Sequence, residues 1–159
     1  MDKLEIIKKE ANDLASKLIE TFTLDVALQD EVYLIHITCD ADAPTIIGRH
    51  GETIRAFQKI LEVAFYKQFG EQVNILVDVN DYRTKQKEKI HEITDRYVQK
   101  ATETRERAYV RGFSAFERKI AHEYIVANYP DLTSYSEGEG RDRRLYIDFK
   151  TNSQDNPSE

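Results

Sequence analysis

The chain has 159 residues, 23 Lys and Arg against 29 Asp and Glu for a formal charge of −6, one cysteine and no tryptophan. This length accommodates one ordinary domain or two small ones and excludes a large multidomain enzyme. A lone Cys39 excludes an internal disulfide framework and a thiolate-rich metal site. No apolar run approaches the ~18–20 residues that span a bilayer, and the charged start Met1-Asp2-Lys3-Leu4 does not read as a signal peptide. A cytoplasmic protein without membrane insertion is expected.

Residues 3–22 read as an amphipathic helix, with Leu4, Ile7, Ala11, Leu14, Leu18 and Phe22 in one apolar stripe. Two strands follow, Thr23–Gln29 and Val32–Cys39. Only Asp30-Glu31 separates them, so they form an antiparallel hairpin. In the second strand Tyr33, Ile35, Ile37 and Cys39 share the apolar face. Asp40–Pro44 reads as a loop. Ile46-Ile47, the turn Gly48-Arg49-His50-Gly51 and a helix carrying Ile54, Phe57, Leu61, Ala64 and Phe65 come next, and Gly70 ends that helix. Val73–Val79 alternates as a strand.

From about Tyr82 to Ala108 the chain lacks Gly and Pro and reads as one long helix. Its thin apolar stripe is Tyr82, Ile90, Ile93, Tyr97, Ala101 and Ala108. Gly112 breaks it. Ser114-Ala115-Phe116-Glu117 has the spacing of a capping box, and the helix it opens is expected to pack through Phe116, Ile120, Tyr124 and Ala127. Pro130 stops that helix. Asp131–Asp142 reads as a polar loop in which Glu137 and Glu139 are turn residues. Arg143–Phe149 is a strand with Leu145, Ile147 and Phe149 inward, and 151–159, without an apolar side chain, a disordered tail. The fold class expected is α+β in two small domains, 1–79 and 80–150.

The charge is unevenly spread. Residues 1–42 hold 4 Lys and Arg against 10 Asp and Glu, whereas residues 80–112 hold 9 against 6. Attraction to phosphate depends on potential within a Debye length of roughly 8–10 Å, so a negative sum does not exclude a basic binding face.

Ile46-Ile47-Gly48-Arg49-His50-Gly51-Glu52-Thr53-Ile54 is the most informative stretch. Two helices meet there at a glycine-bounded turn. The glycines let a nucleic-acid backbone come close, and the second helix offers a positive dipole end. Arg49 is cationic and His50 can donate hydrogen bonds. Ile46, Ile47 and Ile54 would give an apolar floor for bases. The pattern Ile-Ile-Gly-x-x-Gly-x-x-Ile resembles the KH domain, whose GXXG loop clamps about four backbone nucleotides. The order helix, strand, strand, helix, GXXG, helix, strand is similar to the bacterial type II arrangement, αββααβ. The resemblance implies that Gly48, Arg49, His50 and Gly51 hold the backbone while Ile46, Ile47 and Ile54 line the groove.

Arg118 and His122 are four apart and project from one face of the capped helix. An arginine beside a histidine can seat a phosphate, though as an isolated pair it reads more readily as a solvated helix face. Phe113–His122 together with Ser136-Glu137-Gly138-Glu139-Gly140 and Arg143-Arg144 resembles the single-stranded-nucleic-acid-binding domain named for its Arg-xxx-His pair (R-3-H). Arg118 and His122 are then the expected binding pair. Arg143 and Arg144 fall on opposite faces of a strand, so one of the two is expected to join them.

A type II KH domain followed directly by an R-3-H domain resembles the bacterial Jag (SpoIIIJ-associated) RNA-binding proteins, as does the junction Asp78-Val79-Asn80-Asp81-Tyr82-Arg83. Many members carry an additional N-terminal Jag domain and linker, and none is read in residues 1–22. The resemblance implies single-stranded RNA as partner, or single-stranded DNA, and a post-transcriptional regulatory role. It further implies action near the membrane insertase and in cell elongation, with a small KH-only protein or a second copy as candidate partner. No catalytic residue, metal or cofactor is expected. Gly48–Thr53 lacks the Lys and spacing of a P-loop, and neither His-Glu-x-x-His nor Cys-x-x-Cys occurs. Two alternatives stand beside RNA binding: a dimerisation or interaction scaffold built on the KH domain, and a ribonuclease pairing His50 with His122. The basic run Arg83, Lys85, Lys87 and Lys89 could track phosphates or be a solvated helix face.

Overall fold

The computed structural model of the chain describes residues 2–150; the segment 151–159, expected to be a disordered tail, lies outside the described residues. Helices and strands are mixed, as an α+β chain requires. The chain divides into two compact units, one ending at Arg83 and the other starting at Thr84.

The first unit runs α1 (Lys3–Ala15), β1 (Thr23–Gln29), β2 (Val32–Thr38), α2 (Ala43–Ile47), a 3-10 turn at Arg49–Gly51, α3 (Glu52–Phe69) and β3 (Ile75–Val79). In α1 the fourfold spacing of Ile7, Ala11 and Ala15 buries one stripe. The helix stops well short of the expected Phe22. Ser16 Oγ donates to the Asp13 carbonyl at 2.9 Å, and Lys17 and Leu18 donate to carbonyls three residues back. This side-chain competition and tightening closes the last turn. The turn shifts the inward residue by one: Ile19 is buried and Leu18 is 43% exposed. The hairpin forms as expected, with Asp30 and Glu31 at φ 48° and 64°, the two positive values a tight two-residue connection requires.

Pro44 sits in the first turn of α2, where its missing N–H costs nothing. The expected loop therefore ends earlier than Pro44. The sheet order is β1-β2-β3, β2 antiparallel to β1 and parallel to β3. A parallel neighbour needs a crossover, and α2 with α3 supplies it. Leu24, Ile35, Ile37, Val77 and Val79 pack on Ile7, Ala11, Phe57, Leu61 and Phe65 to form the core. The Gln58 side-chain oxygen on α3 accepts from the backbone N–H of Val77 at 3.1 Å. A side chain thereby satisfies backbone on the open edge of β3.

The second unit contains most of α4 (Tyr82–Thr104), then β4 (Ala108–Val110), α5 (Ala115–Asn128), β5 (Leu132–Glu137) and β6 (Arg144–Phe149). The antiparallel sheet order is β4-β6-β5. The long helix ends at Thr104 rather than Ala108. Thr104 Oγ1 donates to the Lys100 carbonyl, and Arg105 takes φ 60°, which a helix cannot continue. Ala108 and Val110 are instead the buried positions of a short strand. The expected loop 131–142 contains β5, whose inward residues are Leu132 and Ser134. A serine at a core position weakened the alternation that would have marked it.

The capping box forms. Glu117 N–H donates to Ser114 Oγ at 3.2 Å, and Ser114 N–H donates to Glu117 Oε2 at 2.8 Å. Gln86 Nε2 donates to the other carboxylate oxygen at 3.2 Å. The inward stripe of α5 therefore begins at Glu117 and continues through Ala121 and Ile125. The expected stripe was rotated, since Phe116 is 44% exposed. Assigning a carboxylate outward and a phenyl ring inward follows the usual preference, and the cap overrides it. Tyr124 stacks on His91, and the hydroxyls of Tyr124 and Tyr129 both donate to Asp95, tying α5 to α4. The Asp95 carboxylate and burial hold the Tyr129 phenol well above its usual pKa.

Replacing Ser114 with Ala should destabilise the second unit by about 1 kcal/mol. A thermal melt would register this as a midpoint lower by about 4–8 °C. An unchanged midpoint would mean that the cap does not set the position of α5.

Candidate nucleic-acid interface

In the first unit the turn between α2 and α3 is shaped by backbone. Gly48 adopts φ 72°, ψ 175°, a region open essentially to glycine alone. A Cβ built there would collide with Thr53 Oγ1 and lie 2.8 Å from the Thr53 backbone nitrogen. Gly51 is left-handed at φ 72°, ψ 19°, and a Cβ there would stand 2.8 Å from the Tyr82 ring. Between them His50 is also left-handed, at φ 53°. The Arg55 guanidinium, one turn into α3, donates to the His50 carbonyl at 2.9 Å. Arg49 is exposed and His50 half-buried.

Burial corrects the expected floor. Ile46 and Ile54 are 0% and 2% exposed and belong to the core, so they anchor the turn from beneath and cannot lie against bases. Ile47 is partly buried against the same core. Anchoring has the stronger claim here because both helices that carry the turn must bury an apolar stripe.

The chain after β3 is fastened to the ends of β2 and β3 and to α3. Asn80 and Asp81 adopt φ 51° and 57°, and Asn80 bonds through its side chain to both the N–H and the carbonyl of Cys39. Asp78 Oδ1 accepts from the N–H groups of Val79 and Arg83. Arg83 Nε donates to the Val77 carbonyl at 3.0 Å, and Nη2 to Gln58 Oε1 at 3.1 Å. Arg83 is therefore occupied in structure and does not belong to a free basic run. His36, Asp78 and Asp81 bring ligand atoms within 4.8 Å of one another, and one oxygen of Asp78, Oδ1, accepts from the Val79 and Arg83 N–H groups. Burial raises the pKa of the Cys39 thiol, with the nearby Asp42 and Asp40 acting the same way.

In the second unit α5 and β5 bring together the residues the sequence singled out. Arg118, Lys119, His122, Ser134, Ser136 and Arg143 line one shallow concavity of about 480 Å³, with Ala115, Tyr135 and Leu145. It holds three cationic side chains and a histidine, and no carboxylate among the described residues. Arg118 Nη1 donates to the Phe113 carbonyl at 2.7 Å, and Arg143 Nη1 to the Gly138 carbonyl at 2.8 Å. Burial, then the Arg143 charge, lower the pKa of Arg118, and a guanidinium remains protonated regardless. Two guanidiniums that repel each other, one partly desolvated, make a site that an anion relieves. His122 Nδ1 lies 2.5 Å from Ser134 Oγ, which orients the ring from a buried serine.

The paired arginines part: Arg143 lies just before β6, and Arg144 is its first residue. Arg143 joins the concavity, whereas the Arg144 guanidinium sits 4.7 Å over the Tyr109 ring, so Arg144 drops out of this site. Ser134, Arg55 and Gln58 escaped the sequence reading. Each acts by holding another group, and that role leaves no motif.

Residues 88–148 match the R-3-H domain. Over 130 residues the chain is 30% identical to the RNA-binding protein KhpB of Bacillus subtilis, covering 79% of this chain and 62% of that protein. It is 28% identical over 102 residues to the RNA-binding protein KhpB of Lactiplantibacillus plantarum, covering 64% of this chain and 31% of the relative. The protein of the same name from Streptococcus pneumoniae is 24% identical over 148 residues, 91% of this chain and 45% of its own length. The chain thus spans less than two thirds of each of these relatives.

Gly48→Ala should distort the 48–51 turn, because its Cβ meets backbone as well as a side chain. Hydrogen exchange of the Arg49–Thr53 amides should quicken while β1–β3 stay protected. Unaltered exchange at those amides would show that the turn tolerates a side chain.

Proposed function

We propose that this chain is a non-catalytic single-stranded RNA-binding protein of the Jag type. Its first domain is a type II KH module and its second an R-3-H module. The observation that carries this reading is the carboxylate-free concavity holding Arg118, Lys119, His122 and Arg143 within the stretch that matches the R-3-H domain. The names of the relatives support it. The αββααβ order and the glycine-only geometry of Gly48 support the KH assignment of the first unit.

In this reading the turn 48–51 presents Arg49 and His50 to a phosphate backbone, and the second module takes a phosphate between Arg118, Arg143 and His122. Neither site breaks a bond. Two weak sites on one chain raise affinity through effective concentration when one strand reaches both. The role is that of a bacterial post-transcriptional regulator in the cytoplasm, and single-stranded DNA is the competing ligand. No helix among the described residues is long and apolar enough to cross a membrane.

Binding to a short single-stranded RNA should weaken with salt, log affinity falling linearly with log concentration. Arg49→Asp with His50→Asp should remove the KH contribution, and Arg118→Ala with His122→Ala that of the second module. Each pair should lower affinity by about tenfold or more, given about 1.5–3 kcal/mol for a hydrogen bond to a charged group. Parental affinity in both folded variants would overturn the assignment, and degradation of the RNA would favour a nuclease.

One observation favours a scaffold as second reading. Ile60, Val63, Tyr66 and Leu76 are exposed by 54%, 58%, 62% and 38%, and a groove of about 660 Å³ runs between α3 and β3 beside them. Such a face fits a second copy or a small KH-only partner. Sedimentation of the purified chain should reveal a concentration-dependent dimer that Val63→Asp with Tyr66→Asp abolishes. A monomer at every concentration would remove self-association.

A further inference from the structure

Turned away from the core of the second unit, the outer face of its sheet carries a row of tyrosines. Tyr109 of β4, Tyr146 of β6 and Tyr135 of β5 are direct cross-strand partners. Tyr135 and Tyr146 stack with centroids 5.5 Å apart and planes 15° apart; Tyr109 and Tyr146 lie 5.8 Å apart and tilted. Arginines cover the row. The guanidinium of Arg107 sits 4.7 Å over the Tyr146 ring, Arg144 4.7 Å over Tyr109, and Arg111 5.4 Å from Tyr109. Tyr109 is 39% exposed. Glu137 is the cross-strand partner of Arg144, and Asp148 that of Thr133, so three guanidiniums on this face stand against two carboxylates.

The three aromatic rings lie in one row across three strands, on the face turned away from the core. Helices cover the other face of the sheet, where Val110, Leu145 and Ile147 form the core. Rings interleaved with guanidiniums are the surface on which unpaired bases stack while the cations neutralise the strand's phosphates. The concavity at Arg118 and His122 offers charge without an aromatic platform of this kind.

We propose that this outer face, centred on Tyr109 and Tyr146 and flanked by Arg107, Arg111 and Arg144, is a base-stacking site for single-stranded RNA. It shares Tyr135 with the Arg118–His122 concavity and is otherwise built from different residues. The proposal rests on the reading of the chain as an RNA-binding protein, and adds that the second unit holds bases as well as phosphates.

The test is fluorescence anisotropy of the full chain with a short labelled single-stranded RNA and with an abasic ribose-phosphate strand of equal length. Tyr109→Thr with Tyr146→Thr keeps β-forming residues in both strands. This variant should bind the RNA about tenfold more weakly or worse and bind the abasic strand as the parent does. Ultraviolet cross-linking of the parent to the RNA, read by mass spectrometry, should place adducts on the peptides holding Tyr109 or Tyr146, and decides the matter if the variant does not fold. Equal affinity of a folded variant for the RNA, equal losses on both strands, or adducts confined to other peptides would overturn the stacking site. A parent chain that binds no RNA at all would instead overturn the underlying reading.

Discussion

A three-stranded sheet that is covered by helices on one face must sort its residues by parity, because successive side chains point to opposite sides. Both units of this chain obey that constraint, and most of their surface chemistry follows from it. In the second unit Leu132, Ser134, Leu145 and Ile147 go inward. Tyr135, Tyr146 and Arg144 therefore go outward, and the cross-strand register lines the tyrosines up in one row. Arg143, just ahead of β6, lines the concavity beside Arg118, and Arg144, the first residue of β6, lies over Tyr109. A one-residue slip of β6 would expose the core.

The turn of the first unit answers to a different constraint, the backbone angles that a side chain forbids. Gly48 and Gly51 take conformations in which a Cβ would collide with Thr53 or Tyr82. Each neighbouring residue has its own task in holding that shape. Ile46 and Ile54 pull both flanking helices onto the core, Arg55 ties off the His50 carbonyl, and Tyr82 closes the space under Gly51. A ligand meeting this turn would meet a backbone shape already in place, with little ordering left to do.

The electrostatics are local. The acidic excess lies in residues 1–42, ahead of the turn, while the concavity on α5 gathers three cations without a carboxylate among the described residues. At physiological salt each of these fields decays within roughly 8 Å. The net charge of −6 therefore bears on non-specific attraction to polyanions more than on what a cationic pocket can hold.

Much of this was legible in the residues. The hairpin at Asp30-Glu31, the glycine-bounded turn, the capping box at Ser114 and Glu117, and the spacing of Arg118 and His122 are local patterns enforced by local physics, and each forms. Where burial depends on distant partners, the pattern was mute or misleading. Ser134 hides a strand because its hydroxyl is satisfied by His122. Glu117 turns inward because Gln86 and the cap receive its carboxylate. Ile46 and Ile54 looked like a surface for bases and are core. The tyrosine row was invisible since its members come from three separated segments. Sequence alone determined the elements whose cause lies within a few residues. The tertiary structure decided which faces those elements turn to water, because only packing against a partner can repay the desolvation of a buried polar group.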